Sequence, residues 1–422
     1  MKLLILGAGG REHALVWKCA QSRTVQKLYC APGSEAISAH AECVAIDPAD
    51  PMAVTGFCVE KGIDLVIVGP ARPLASGVAD YLRKAGVRVF GPGQAAARLE
   101  SSKAFAKQFL VRHCIPTARG HIYRTANEAV AALDKMKAPI VIKADGLAGG
   151  KGVCVCPDRA EAAETIEDFM RMKTLQSAGD TVVIEEYLEG RELTAMALCD
   201  GKNFKLLPYA RDHRHLLDGD KGPDTDGMGA YAPVDLDADA GSAIQDIFSA
   251  TLAGMHKDGL DFRGLLYIGL MLTASGPKVL EYNSRFGDPE AQAVLPLLDC
   301  DLVALALACA EGRLAPAEIK LHTGACVCVV MASENYPRAP MIGRPVTGIE
   351  DISRSSDILV FHAGTGRKDG RWATTGGRVL GITARGPDLA AARRWAYEHV
   401  ARICFDGMLF RRDIANEALT PR

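Results

Sequence analysis

Four short apolar runs, each ended at once by glycine or proline, constrain what the first quarter of this chain can fold into. Lys2-Leu-Leu-Ile-Leu6, Leu28-Tyr-Cys-Ala31, Asp64-Leu-Val-Ile-Val68 and Val87-Arg-Val-Phe90 read as buried strands, the kind a parallel sheet covered by helices contains. Pro32-Gly33, Gly69-Pro70 and Gly91-Pro92-Gly93 follow them, as strand carboxyl ends feeding ligand loops would be followed. After the first run, Gly7-Ala-Gly9-Gly10-Arg11-Glu12-His13 turns into the helical pattern Ala14-Leu-Val-Trp-Lys-Cys. Strand, glycine-rich turn and helix open a doubly wound α/β unit. Glu12 stands where the dinucleotide fingerprint needs its third glycine, which argues against a nicotinamide cofactor. The turn's amides, with Arg11, could still hold a phosphate monoester.

At 422 residues the chain needs more than one core. A net charge of −2 argues against a nucleic-acid surface. No apolar run reaches the ~20 residues of a membrane span, and the apolar start is too short for a signal peptide. Thirteen cysteines include no CxxC pair. Cys154-Val-Cys156 and Cys326-Val-Cys328 place two thiols on one face of an apolar strand, so core packing outweighs zinc. A reduced, cytoplasmic protein is expected.

The first domain closes near residue 100. A serine-capped helix begins at Ser101-Ser-Lys103 and stops at Ile115-Pro-Thr117. Ile140-Val-Ile-Lys143-Ala-Asp-Gly-Leu-Ala-Gly149-Gly150-Lys151-Gly152-Val then reads strand, glycine turn, strand. No helix follows and G-K-[ST] is missing, so this is a hairpin flap rather than a P-loop. A glycine flap with lysines beside it suits closure over a triphosphate. A merely tight hairpin would need neither Lys143 nor Lys151. Val182–Leu188 is a strand running into a polar turn that offers backbone groups and Glu185 to an adenine edge, with Glu192 for a ribose. Arg211–His215 and Asp218–Tyr231 read as one long charged loop, the second part with four glycines and four aspartates, more functional than packed.

Gly264–Thr273 pairs with Lys278–Asn283 as a hairpin. Alternation puts Glu281, Asn283 and Arg285 on one side. A carboxylate and an amide oxygen suit Mg²⁺ completed by phosphates, and the arginine beyond them could clamp a second anion. The competing reading is a solvated polar strand face. A helix at Asp301–Ala310, strands at Cys326–Met331, Ile358–His362 and Gly377–Thr383, and a helix at Asp388–Arg402 make a small α+β unit that could lie against the flap.

Together these motifs resemble the phosphoribosylamine–glycine ligase family of the ATP-grasp superfamily. The likeness spans the chain, through Gly9-Gly-Arg-Glu-His13, Ala31-Pro-Gly33, Ser102-Lys-Ala104, Ile142–Leu147, Gly150-Lys-Gly152, Gly227–Tyr231, Arg285-Phe-Gly-Asp-Pro-Glu290, Phe361–Thr365 and Gly376-Gly-Arg-Val379. It implies an α/β (α+β) ATP-grasp fold: a Rossmann-like domain at 1–100, an ATP-grasp domain at 101–324 with a flap near 118–190, and a C-terminal α+β domain at 325–422. The implied reaction phosphorylates a carboxylate with ATP, and an amine then displaces phosphate. Arg285, Gly287, Asp212 and Lys143 would serve catalysis, and Glu281 and Asn283 would hold Mg²⁺ (or Mn²⁺). Lys103, Lys143, Gly149, Gly150, Lys151, Gly152, Glu185, Glu186, Leu188 and Glu192 would bind ATP. Gly9, Gly10, Arg11, Glu12, His13, Arg72, Asp212, Asp226, Gly227, Arg285 and Asp288 would bind the small substrates, the first five taking a 5′-phosphate. A monomer or simple homodimer is expected.

The chain departs from the family pattern in its substrate loops. Ala71-Arg72 stands at the E-x of G-P-E-x-P-L, Ser34-Glu-Ala36 departs from A-P-G-N-x-G, and Arg191 and Thr194 from G-E-E-x-S. Arg211 and Arg214 depart from Q-D-H-K, and Asp224 and Asp226 from N-T-G-G-M-G. Two alternatives stay open at this point: a paralogue joining another acid and amine, and a nucleotide-binding protein without catalysis.

Overall fold

The computed structural model describes residues 1–352 and 357–419. Strands Lys2–Gly7, Lys27–Pro32, Glu42–Cys43, Leu65–Val68 and Arg88–Phe90 form one parallel sheet with Lys2–Gly7 at its centre. Leu3 and Ile5 face one helical layer and Leu4 and Leu6 the other, all fully buried. Burial on both sides explains the unbroken apolar run, at about 1.5–3 kcal/mol for each side chain. Strand order reverses beside Lys2–Gly7, so a crevice opens between its carboxyl end and that of Leu65–Val68.

The central sheet is antiparallel, in the order Phe204–Leu206, Arg191–Asp200, Arg263–Thr273, Gly276–Asn283. Helices Gln94–Ser101, Lys103–Arg112 and Ala238–Lys257 cover one face through Phe109, Phe248 and Tyr282. Its other face joins the core beneath the N-terminal sheet, through helices Gly10–Cys19 and Leu302–Glu311. The flap is a separate sheet of Gly120–Tyr123, Val182–Glu186, Ile140–Ala144 and Val153–Cys156. Ile142, Ile184, Ile166 and Phe169 give it an apolar core of its own.

The C-terminal sheet runs Arg211–Asp212, Gly229–Ala232, Ala325–Ala332, Arg378–Gly386, Ile358–His362, with helix Leu389–Val400 packed on it. Two of its strands come from the segment expected to be an unpacked loop. Met228 and Ala230 are fully buried there, and His215–Leu217 pairs with Lys221–Asp224 as a ribbon. The glycines that suggested a loop serve the crossings instead: at Gly229 (φ +156°), Cβ would meet the Cys328 carbonyl at 2.7 Å. The expected packing against the flap is also replaced. Phe361 packs edge-on against Trp17 and His13, and His362 lies tilted against His13, so this sheet rests on helix Gly10–Cys19.

Candidate active site

One cleft of about 450 Å³ is lined jointly by the flap glycines, the N-terminal crevice, the central hairpin and Arg378 of the C-terminal sheet. Its floor is the end of strand Gly276–Asn283. Tyr282 turns into the core, where its hydroxyl meets Thr251 Oγ1 at 2.9 Å, so Glu281 and Asn283 turn the other way. Glu281 Oε2 accepts from Lys103 Nζ at 2.7 Å and Oε1 from Arg214 Nη2 at 2.8 Å. Arg285 Nη2 donates to Asn283 Oδ1 at 3.3 Å. Burial works to raise the Glu281 pKa, but Lys103 and Arg214 hold it well below the ordinary carboxylate range. A carboxylate and an amide oxygen are the hard ligands that Mg²⁺ or Mn²⁺ takes, and Lys103 and Arg214 keep Glu281 in the ionised form such a cation needs. The donor types fit the cation, which on binding would displace one of these two pairs.

Arg285 is aimed by a residue the sequence did not single out. Glu100, 4% exposed, takes Arg285 Nε at 3.0 Å on one oxygen and the Ser284 amide and hydroxyl at 2.9 and 2.7 Å on the other. Asp212 receives Arg214 Nε at 3.2 Å, and Gly287 lies against Glu290. All of these residues except Ser284 line the cleft.

Among the nucleotide candidates, Lys103, Gly149, Gly150 and Gly152 line the cleft. Lys151 is exposed at the flap tip. Lys143 lies beneath, donating to the Leu280 carbonyl at 2.9 Å and to Glu185 Oε2 at 2.8 Å. Glu185 corrects the expectation of an adenine contact through its carboxylate. Its other oxygen pairs with Lys107 at 2.7 Å, so both oxygens are occupied by lysines. Lys107 went unnoticed because it sits on the buried side of helix Lys103–Arg112. Glu186 accepts the Arg119 amide at 3.0 Å, and Leu188 packs on Ala118 and Met271. Glu192 has its pKa raised, by burial first, despite the nearby Arg214.

The turn at Gly9–His13 departs most from expectation. Glu12 Oε2 accepts the Gly9 amide at 2.8 Å, and Oε1 accepts Arg11 Nε at 2.6 Å. The carboxylate fills the gap between Gly7 and Gly69, where a Cβ at either would collide with it. The Arg11 amide faces Asp288 Oδ2 at 3.4 Å, and a Cβ on Gly10 would come within 2.7 Å of Gln292 Nε2. Two carboxylates thus occupy a helix start that was expected to hold a phosphate. His13 Nδ1 accepts the His362 amide at 2.9 Å, and burial, then His362, lower its pKa to about 3. His13 is therefore a neutral packing residue. What the cleft retains from this region is the Arg11 side chain, Arg72 at the rim (3.4 Å from Asp47) and Asp288. Asp288 pairs with Arg378 at 3.4 Å, and Arg378 Nη1 also donates to the carbonyls of Asp226 and Asp288 and, at 3.4 Å, of Gly227.

Residues 1–100, 101–291 and 326–417 match the N, ATP-grasp (A) and C domains of phosphoribosylglycinamide synthetase. The phosphoribosylamine–glycine ligase of Caulobacter vibrioides is 46% identical, over 100% of this chain and 99% of that protein. The chain belongs to the phosphoribosylamine–glycine ligase family. It is an ADP-forming ATP-grasp ligase of purine biosynthesis. The crystal structure of the Thermotoga maritima family member superposes with a TM-score of 0.86 at 36% identity, covering 98% of this chain and 100% of that one. The biotin carboxylase domain of Hydrogenobacter thermophilus 2-oxoglutarate carboxylase, solved with MgADP, shares the fold (TM-score 0.76, 16% identity, 97% and 91% covered). No helix among the described residues is long and apolar enough to cross a membrane.

Of the departures from the family pattern, Ala71-Arg72, Arg214, Asp224 and Asp226 line the cleft. Arg211 instead pairs with Glu417 at 3.3 Å. Asp226 meets the flap, since a Cβ on Gly150 would collide with Asp226 Oδ1, and Gly150 has φ +75°. Gly150→Ala is therefore expected to hinder closure. A left-handed residue costs about 1–2 kcal/mol, or roughly tenfold in the apparent KM for ATP. Adding Asp226→Ala should recover only the steric part of that loss, which steady-state kinetics of the single and double variants would show.

Proposed function

We propose that the chain joins glycine to 5-phosphoribosylamine, consuming ATP with Mg²⁺ and releasing ADP and phosphate. The observation that supports this best is the junction of Glu281, Asn283 and Arg285 with a glycine flap across one cleft, in a chain similar to named ligases over its whole length. Lys103 and Lys143 neutralise the nucleotide phosphates, and the flap glycines 149, 150 and 152 close over them with backbone amides. When bound at Glu281 and Asn283, Mg²⁺ supplies charge neutralisation for phosphoryl transfer. Arg285, held by Glu100, orients the glycine carboxylate for attack and then steadies the acyl phosphate with the Gly287 amide. With the Gly9 and Arg11 amides facing carboxylates, the phosphate of the amine substrate is assigned to the side chains of Arg11 and Arg72. These stand in the crevice at the strand-order reversal. Asp226 and Asp288 border the remaining space.

The test is direct. The chain is incubated with ATP, Mg²⁺, glycine and freshly generated phosphoribosylamine, and the product is sought by mass. Glycinamide ribonucleotide with stoichiometric ADP is expected. ADP release that depends on another acid or amine, with none for this pair, would discard the substrates.

A further inference from the structure

The amine that attacks the acyl phosphate must shed a proton, and none of the groups placed so far receives it. Glu290 stands where such a group is needed. It begins helix Glu290–Val294 just after the Arg285–Asp288 turn, is 3% exposed and lines the cleft. Its Oε1 accepts hydrogen bonds from Tyr267 Oη at 2.8 Å and Thr194 Oγ1 at 3.1 Å, which fixes the side chain. Its Oε2 is turned onto Gly287, so closely that any Cβ there would overlap it. That oxygen lies against the backbone assigned to the acyl phosphate.

We propose that Glu290 is the general base of amide formation, an assignment that rests on the ligase reading above. The amine nitrogen attacks the acyl carbon and a C–N bond forms. The N–H proton passes to Glu290 Oε2, the acyl C–O bond to the phosphate breaks, and inorganic phosphate leaves with the electron pair. Charged groups face Glu290 from each neighbouring element: Asp212 and Arg214 from one side, Arg285 from the preceding turn and Arg378 from the C-terminal sheet, with the Tyr267 phenol beneath. Burial, then Asp212, raise its pKa to about 7. A base works best with its pKa near the working pH. Because the ionised form is the active one, the amide step should rise with pH up to about 7 and then level off.

Glu290→Gln keeps the volume and the acceptor for Tyr267 and Thr194. Two readouts on the full chain separate the half-reactions. Glycine-dependent positional isotope exchange in γ-labelled ATP reports acyl phosphate formation without amine. Product formation with phosphoribosylamine reports the amide step. Exchange is expected to stay within about threefold of the parent, while amide formation falls by about 10²-fold or more and loses its rise with pH. Glu290→Asp, which restores a carboxylate, should recover part of the amide step. Equal loss of both half-reactions in Glu290→Gln, an unchanged pH profile, or no recovery in Glu290→Asp with exchange intact would each overturn the assignment. Absence of glycine-dependent exchange in the parent chain would instead sink the ligase substrates, and this inference with them.

Discussion

Glu281→Gln should reduce glycine-dependent ADP formation by about 10²- to 10³-fold, the scale of losing one preorganised electrostatic group at a phosphoryl-transfer site. The chain should stay folded. Gln offers one oxygen in place of a shared carboxylate, so a divalent cation loses its only anionic protein ligand in the proposed set. The stability side of this result rests on what surrounds Glu281. Its side chain is 14% exposed and held between Lys103, 16% exposed, and Arg214, 35% exposed. It is therefore an ion-paired carboxylate rather than a freely solvated one. Arg214 keeps Asp212 at 3.2 Å when Glu281 changes, and water reaches both cations. A fall in Tm of no more than about 4 °C is expected. Glu281→Ala removes the acceptor altogether and should lose more stability than Gln for the same loss of turnover. ADP release and thermal denaturation of the two variants would check both halves, and full turnover in either would remove the metal assignment.

Where the sequence carried a periodic signal, fold and site were legible. The central hairpin was readable because Tyr282 had to be buried, which turns its neighbours Glu281 and Asn283 the other way, toward the cleft. The strands of the N-terminal sheet were readable because burial on both faces leaves no polar alternation. Elements defined by their ends rather than their faces were not. Helix Pro51–Lys61 is capped by Asp50, carries proline at its first position and ends at Gly62 (φ +63°), yet only Val54 and Cys58 are buried. Helix Ala238–Lys257 is a different case: it carries a helical apolar face at Ile244, Ile247, Phe248, Leu252 and Met255 that went unread, behind an Asp237 cap that resembles any loop aspartate. Pairings between distant residues were beyond reach for a different reason. Glu100 with Arg285, and Glu12 across Gly7 and Gly69, join residues whose partners only the fold selects. A glycine turn reads the same in sequence whether its amides face a ligand or a neighbouring carboxylate. That is why the Gly9–His13 turn, read as a phosphate cradle, has carboxylates facing two of its amides, while the flap expectation described the observed hairpin.

Glu185→Gln should cost the most stability, about 3–5 kcal/mol at neutral pH, as removing one partner of a buried ion pair does. Glu185 is 4% exposed and holds Lys107 at 2.7 Å and Lys143 at 2.8 Å. Burial pushes its pKa up, but Lys143 and Lys107 together bring it below the ordinary value. A depressed carboxylate contributes stability above its unfolded pKa, about 4.3, and loses that contribution as pH falls through the lower folded value. Denaturant unfolding of parent and variant should therefore differ at pH 7 and converge as the pH falls through that lowered folded value. The same variant also tests the nucleotide assignment. If Lys143 faces the phosphates, ATP supplies negative charge to an ammonium group that the substitution has left unpaired. Saturating nucleotide should then raise the Tm of Glu185→Gln by more than it raises that of the parent. An equal rise in both would mean that Lys143 only holds Glu185 and Leu280 in place, and the phosphates would pass to Lys103 and the flap amides alone.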